Sequence, residues 1–267
     1  MSDNLSELPP PFSPAELVDI PAVLSAARFG TYLGVAGGDR AQALRLYMWN
    51  AKVSAAFGPP LHLAEVAVRN AVAGAVGRAY KSLEWHESRT FSSDLKDPAN
   101  GYSPRRDLTE ARAEAARQIE AAIERRNTAA LRAARVAGLP PPIPQAVPDV
   151  APVGKVIAEL RFAFWVSMLT SGHQMLIWDE QLGSAFPHLP GAEGSDNEVT
   201  TARLLLHNDL DKIRKFRNRV AHHEPILRMH VTDELRRIVK VVGWLCPVTA
   251  AWMERNQDVN RLLSERP

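Results

Sequence analysis

The chain predicts an all-α protein, and three observations predict it. No segment alternates apolar and polar residues at period two for long enough to make a strand. Apolar residues instead recur at spacings of three, four and seven along most of the 267 residues. Helix punctuation falls between those runs. Ser13-Pro14, Asp39 and Ser195-Asp196-Asn197-Glu198 read as starts, whereas Gly37-Gly38, Gly138 with Pro140, and Pro225 read as stops.

Composition bounds what this helical chain can be. Apolar residues make up 46%, which supports a sizeable core and argues against wholesale disorder. The net charge of +2 does not by itself indicate a polyanionic partner. The charge is uneven, however. Between Arg203 and Lys240 stand ten Lys/Arg against five Asp/Glu, with four of the eight histidines. That segment is the best candidate for an electropositive patch, and a solvated basic helix face would give the same count. The single cysteine, Cys246, cannot form an internal disulfide and reads as a core thiol. The apolar runs near Phe162–Leu169 and Val241–Trp252 are too short to span a bilayer, and the N-terminus is acidic and Pro-rich rather than signal-like. These features lead us to expect a cytoplasmic protein with no membrane partner.

Taken in order, residues 1–14 read as a flexible arm and residues 15–267 as one domain. Ser13-Pro14 opens a short helix, with Ser as N-cap and Pro at the first position. After the Gly37-Gly38 turn, Asp39 caps a helix that carries Leu44, Tyr47, Met48 and Val53 inward. Gly58-Pro59-Pro60 ends it and starts another, over about 61–80. There Glu65 and Arg69 stand four apart on one face and can pair. Glu84 to Pro104 is loop-like, with Asp97-Pro98 and Asn100-Gly101 as turn signals. A long Ala/Glu/Arg helix runs from about Asp107 to Val136, its apolar side mostly alanine with Ile119, Ile123 and Leu131. Its Arg126, Arg132 and Arg135 read as a solvated face. Residues 139–152 form a Pro-rich connector. Val156 to Val166 reads as one buried aromatic helix, and Trp178–Gly194 as a short helix and turn. From Thr232 onward come one or two helices with Leu235, Ile238, Val239, Val242 and Leu245 inward; Thr232 or Asp233 can cap, and Pro247 kinks or breaks.

The helix that begins at Ser195 is the centre of the functional argument. Ser195 and Glu198 have capping-box spacing, and Pro225 forces a stop near Glu224. Leu206, Leu210, Ile213 and Val220 make one apolar stripe, and Arg217 falls within it. A guanidinium at such a place has two explanations. Either it is structural, pairing with an acid on a neighbouring helix or snorkelling its head to solvent, or it is held rigidly at a cleft to grip an anion, most often phosphate. Asn218 and His222 share a face beside it, and His222 lies at the negative end of the helix dipole. Arg214, Arg219 and His223 flank this set as weaker substrate-binding candidates. His222-His223-Glu224 does not read as a metal site, because adjacent residues diverge around a helix and no spaced Cys/His set accompanies them. Neither a metal nor a cofactor is expected.

Arg217-Asn218-Arg219-Val220-Ala221-His222-His223-Glu224-Pro225-Ile226 resembles the signature of bacterial Abi-like (abortive infection) proteins of the HEPN superfamily. The superfamily's site is an Arg, a polar residue, three variable residues and a His; Arg217, Asn218 and His222 fill those places. Two further blocks are similar to the same family. One is Tyr47-Met48-Trp49-Asn50 followed by Leu63-Ala64-Glu65-Val66-Ala67-Val68-Arg69-Asn70. The other is the aromatic helix around Phe162-Ala163-Phe164-Trp165. The resemblance spans roughly residues 28–245. It implies a HEPN-like helical bundle with additional helices, a metal-independent endoribonuclease of a phage-defence or toxin-type system, and a homodimer whose two motifs face one cleft. RNA is then the substrate, and a neutralising RNA or protein antitoxin a further partner. Glu65, with Arg69 and Asn70 beside it, is the candidate partner of the site, Glu65 pairing with Arg217. The residues permit the chemistry: a histidine titrates near neutrality, and an arginine stabilises charge building on phosphate. A non-catalytic RNA- or nucleotide-binding module and a structural protein remain open beside it.

Overall fold

A computed structural model describes residues 12–97 and 101–267. It contains helices and turns, with no strand among the described residues, so the chain is all-α. The Ser13 side chain and backbone bond reciprocally with Glu16 and start α1 (Pro14–Leu24). Ser25, at φ 71°, breaks the run and caps α2 (Ala26–Val35). Asp39 accepts from the Gln42 N–H and opens α3 (Arg40–Ala56), and Phe57 joins it directly to α4 (Gly58–Ala79). Of the fourteen residues expected as an arm, only the last three are described. Phe12 already packs on the core, with the Arg45 guanidinium 5.6 Å from its ring centroid; residues 1–11 lie outside the described part.

α4 is the central strut. It is buried along Leu61, Ala64, Val68, Val72 and Val76 and touches α3, α7, α8, α9 and α11. Between Glu84 and Pro104 the expected loop instead holds a 3-10 turn, Trp85–Glu87, and a short helix α5 (Arg89–Asp94) capped by Ser88. Trp85 and Phe91 meet edge to face at 5.1 Å, so two aromatics order a segment whose turn residues suggested none. Of the expected turn signals there, Pro98 to Asn100 lie outside the described residues.

Ser103 caps α6 (Pro104–Val136), three residues before the expected start. Only its first half is anchored: Leu108, Ala111, Ala115 and Ile123 are buried, whereas Leu131 and nearly everything from Glu124 to Asp149 is exposed. The proline-rich return is tied back where the Asn127 side chain bonds both the N–H and the carbonyl of Gln145.

The expected single aromatic helix is two: α7 (Val153–Glu159) and α8 (Phe162–Ser167), with Leu160 and Arg161 extended between them. The break lets Leu160, Phe162, Phe164 and Trp165 all point into the core. A 3-10 turn and a π turn then lead into α9 (Asp179–Ala185). α10 (Asp196–Ala221) starts on the expected Ser195/Glu198 capping box, and its inner side packs on α8, α9 and α11. Three helices follow rather than one or two: α11 (Val231–Leu245), α12 (Pro247–Arg255) and α13 (Val259–Ser264). His230 stands at the N-cap of α11 in place of Thr232 or Asp233. Of the two outcomes expected at Pro247, the break is observed: α11 stops at Leu245 and Pro247 initiates α12, as a residue without an N–H does at a first turn. Met48, expected inside, is 54% exposed, and Cys246, expected in the core, is only partly covered. α13 returns to α3, where the Trp49 indole donates to the Leu262 carbonyl at 2.7 Å.

Candidate functional site

The site is built on the C-terminal half of α10. Its buried positions are Leu206, Asp209, Leu210, Ile213 and Phe216. The last of these replaces Arg217 in the stripe. Phe216 is 1% exposed and meets Phe57 edge to face at 4.7 Å, a burial worth about 2 kcal/mol. Arg217 is thereby turned to the rim, with 43% of its side chain exposed. Arg217 lies only about 20° round the helix from Leu210, so the cause is tertiary. Past Ile213 the inner side is set by Phe216 packing on Phe57 at the α3–α4 junction, which leaves Arg217 facing Glu65 of α4. The buried arginine of α10 is Arg203. It is 5% exposed and donates to the Gln174 side chain and the Leu169 carbonyl; burial lowers its pKa.

Arg217 lies against α4. Its Nε is 3.5 Å from Glu65 Oε2, so the partner expected for this guanidinium is the one present. That ion pair lacks hydrogen-bond geometry and is partly solvated, so it contributes no more than about 1 kcal/mol. Glu65 does not pair with Arg69. The Arg69 Nε is buried without a partner, and Asn70 is exposed on a different groove with Ala73 and Arg78.

Arg217, Asn218 and Arg214 line one wall of a cleft of ≈ 420 Å³. Glu65, Tyr102 and the segment Ala158–Ala163 make the rest. Tyr102, Glu159 and Arg161 were not legible as site residues. Arg161 lay inside the aromatic block, where the rings drew the reading towards packing. It is fixed by Asp107, 3% exposed at the base of α6, whose Oδ1 accepts from Arg161 Nε at 2.6 Å. The hydrogen bond to Asp107 raises the Arg161 pKa. The Tyr102 hydroxyl donates to Asp107 Oδ2 at 2.7 Å; burial first, and then that bond, push its pKa well up, so it stays a protonated donor. Arg214 pairs with Asp211 at 2.7 Å along its own helix.

The histidines are placed differently. α10 ends at Ala221, not Glu224, and closes with a Schellman arrangement: the His223 N–H reaches the Val220 carbonyl and the Glu224 N–H the Arg219 carbonyl. His222 is therefore the C-cap, exposed, and not among the residues lining the Arg217 cleft. His223 takes the left-handed position, φ 55°, where glycine is usual. It lines a second cleft on the other side of the helix end. Arg219 is engaged in the turn itself, donating to the Pro225 carbonyl at 3.0 Å and lying 3.5 Å from Glu224. The turn is held from outside by Arg28, which donates to the His223 carbonyl at 2.8 Å, and by Asn50, whose Oδ1 accepts from the Ile226 N–H at 2.9 Å. Arg217, Asn218, Arg214 and Glu65 are thus brought together; His222, His223, Arg219, Arg69 and Asn70 stand outside that cleft.

Among the described residues no three His, Cys, Asp or Glu side chains converge as metal ligands, and no helix is long and apolar enough to cross a membrane. Comparison with protein-family models, curated proteins and solved structures gives no match.

Proposed function

We propose that the chain is a metal-independent endoribonuclease of the HEPN type, acting in a phage-defence or toxin system, with RNA bound across the Arg217 cleft. The observation that carries this reading is the grouping of Arg217, Arg214, Arg161 and Asn218 around one opening, with the exposed His222 four residues beyond Asn218 and outside it. Arg217 is the guanidinium with most freedom there, because its bond to Glu65 is long. A phosphodiester oxygen arriving at Arg217 would gain a charge-assisted hydrogen bond that Glu65 does not form.

In the proposed reaction the RNA 2′-hydroxyl attacks its own phosphorus and the bond to the 5′-oxygen breaks. The products are a 2′,3′-cyclic phosphate and a free 5′-hydroxyl. A histidine removes the 2′-proton, a second proton donor serves the leaving oxygen, and Arg217 stabilises the charge on phosphorus. A single His222 serves one of these roles at a time. A second copy of the chain, bringing its own His222 to the same phosphate, completes the pair.

A specific observation favours a second reading, a non-catalytic RNA-binding module: His222 does not line the cleft that holds Arg217. One experiment decides between them. Wild type, Arg217→Ala and His222→Ala are incubated with cellular RNA in EDTA after circular dichroism shows all three folded. The nuclease reading expects fragments with 2′,3′-cyclic ends from wild type, and about a thousandfold slower cleavage from each variant. RNA binding lost in Arg217→Ala, with no cleavage by any protein, moves the assignment to the binding module.

A further inference from the structure

The second cleft, ≈ 370 Å³, lies between α2, α3, the N-terminus of α4 and the turn after α10. Its polar lining differs from that of the first. Arg28, Tyr32, Tyr47, Asn50, Ser54 and His223 face it, and no carboxylate does. Gly58, the first residue of the 22-residue helix α4, also lines it. Pro59 and Pro60 have no N–H and the Leu61 N–H bonds the Phe57 carbonyl, so Gly58 alone brings a first-turn N–H to the positive end of that helix at the cleft. A β-carbon at Gly58 would meet nothing within 4 Å.

A second observation is independent of the helix end. Tyr32 is 2% exposed and no residue of the described chain hydrogen-bonds its hydroxyl, which opens on the cleft; its ring meets that of Tyr47 edge to face at 5.0 Å. A nearly buried donor without a protein acceptor is expected to meet one from outside. Burial holds the Tyr32 pKa up at about 12, so this group is a donor at neutral pH. The left-handed His223 adds a third sign. A non-glycine residue in that conformation is strained, and here two long-range hydrogen bonds, from Arg28 and to Asn50, hold the turn that keeps it facing the cleft.

We propose that this second cleft binds the phosphate of a nucleotide. Tyr32 Oη, the Ser54 hydroxyl and the Arg28 guanidinium supply donors, and Ala51, Ala55 and Val220 form the apolar wall under the sugar and base. The same chemistry is offered by a free mononucleotide and by a nucleotide within an RNA strand. The site does not depend on the nuclease reading, because it shares no lining residue with the Arg217 cleft.

The test titrates the full chain with inorganic phosphate, 5′-AMP, 5′-CMP and unphosphorylated adenosine, followed by ligand-observed NMR and calorimetry. At least one 5′-mononucleotide should bind with a Kd below about 1 mM. Tyr32→Phe keeps the ring contact with Tyr47 and the fold, and should weaken binding about tenfold; Ser54→Ala should weaken it by a similar or smaller factor. Arg217→Ala should leave it unchanged, which separates this site from the proposed nuclease cleft. A short oligoribonucleotide as competitor identifies the source. Displacement of the mononucleotide places an RNA strand here, and absence of displacement places a free nucleotide. The proposal is overturned if no phosphate-bearing probe binds by about 10 mM. It is equally overturned if adenosine binds as well as 5′-AMP, or if Tyr32→Phe and Ser54→Ala both bind like wild type.

Discussion

The two halves of α10 treat arginine in opposite ways. In the N-terminal half, Arg203 is buried and its donors meet a carbonyl and a side-chain amide of the wall between α8 and α9. Asp209, one and a half turns on, is also buried and is neutralised by Arg237 at 3.3 Å and Lys240 at 2.7 Å from α11. In the C-terminal half, Arg217 stands at a rim with one loose acid beside it, and the helix ends in two exposed histidines. The contrast teaches that a charged residue within an apolar stripe says little until its donor capacity is counted. Arg203 has the burial expected of a special arginine, and its Nε and Nη1 are already bonded within the fold. Arg217 has less burial and more capacity.

That contrast can be broken by measurement. The largest effect is expected at Arg203→Ala, which removes a buried cation and orphans its acceptors. Chemical denaturation should show a loss of about 3 kcal/mol, whereas Arg217→Ala should lose no more than about 1 kcal/mol. Equal losses would mean that Arg217 is structural too.

Acid should separate the halves next. The wall against the N-terminal half contains His173, and farther along the core lies His86; both are buried, and burial lowers both pKa values below the ordinary 6.5. The folded state therefore binds fewer protons than the unfolded state once pH falls below about 6.5, so stability is full above that pH and declines as pH drops towards the folded values. Denaturation midpoints measured from pH 7.5 to 5.5 should fall, and His173→Leu should flatten the fall. His222→Ala, at the exposed end of α10, removes no buried imidazole and serves as the control.

The smallest effect is expected at Glu65→Gln. Because its ion pair with Arg217 is long and partly solvated, stability should shift by less than about 0.5 kcal/mol, with RNA affinity rising as the competing carboxylate is neutralised. A large stability loss would return Glu65 and Arg217 to a purely structural role.

Much of this was readable from residues alone, for reasons that are local. The capping box at Ser195, Asp39 before α3 and the Gly138 stop after α6 each satisfy backbone groups within one turn, so they leave a mark in sequence. The pairing of Glu65 with Arg217 was approachable because both sat beside their own motif. Three features left no such mark. The break at Leu160 and Arg161 uses neither glycine nor proline and is imposed by packing of the aromatics on both sides. Arg203 falls three residues before Leu206, and in sequence a lone arginine at the head of an apolar stripe looks like any solvated one. The second cleft joins Tyr32, Ser54 and His223, residues from three distant stretches that only the tertiary fold assembles.

The asymmetric anchoring of α6 has a mechanical consequence. Thirty-three residues at 1.5 Å each make a rod of about 50 Å, held at its base and largely free beyond Ile123. Such a rod multiplies angles. The free part is the thirteen residues beyond Ile123, about 20 Å, so a tilt of about 5° there sweeps the far end through about 2 Å. The base is where Asp107 grips Arg161, and Arg161 borders the Arg217 cleft. The exposed tip can therefore swing while the base, held through Ile123, keeps Asp107 and Arg161 in place at the cleft.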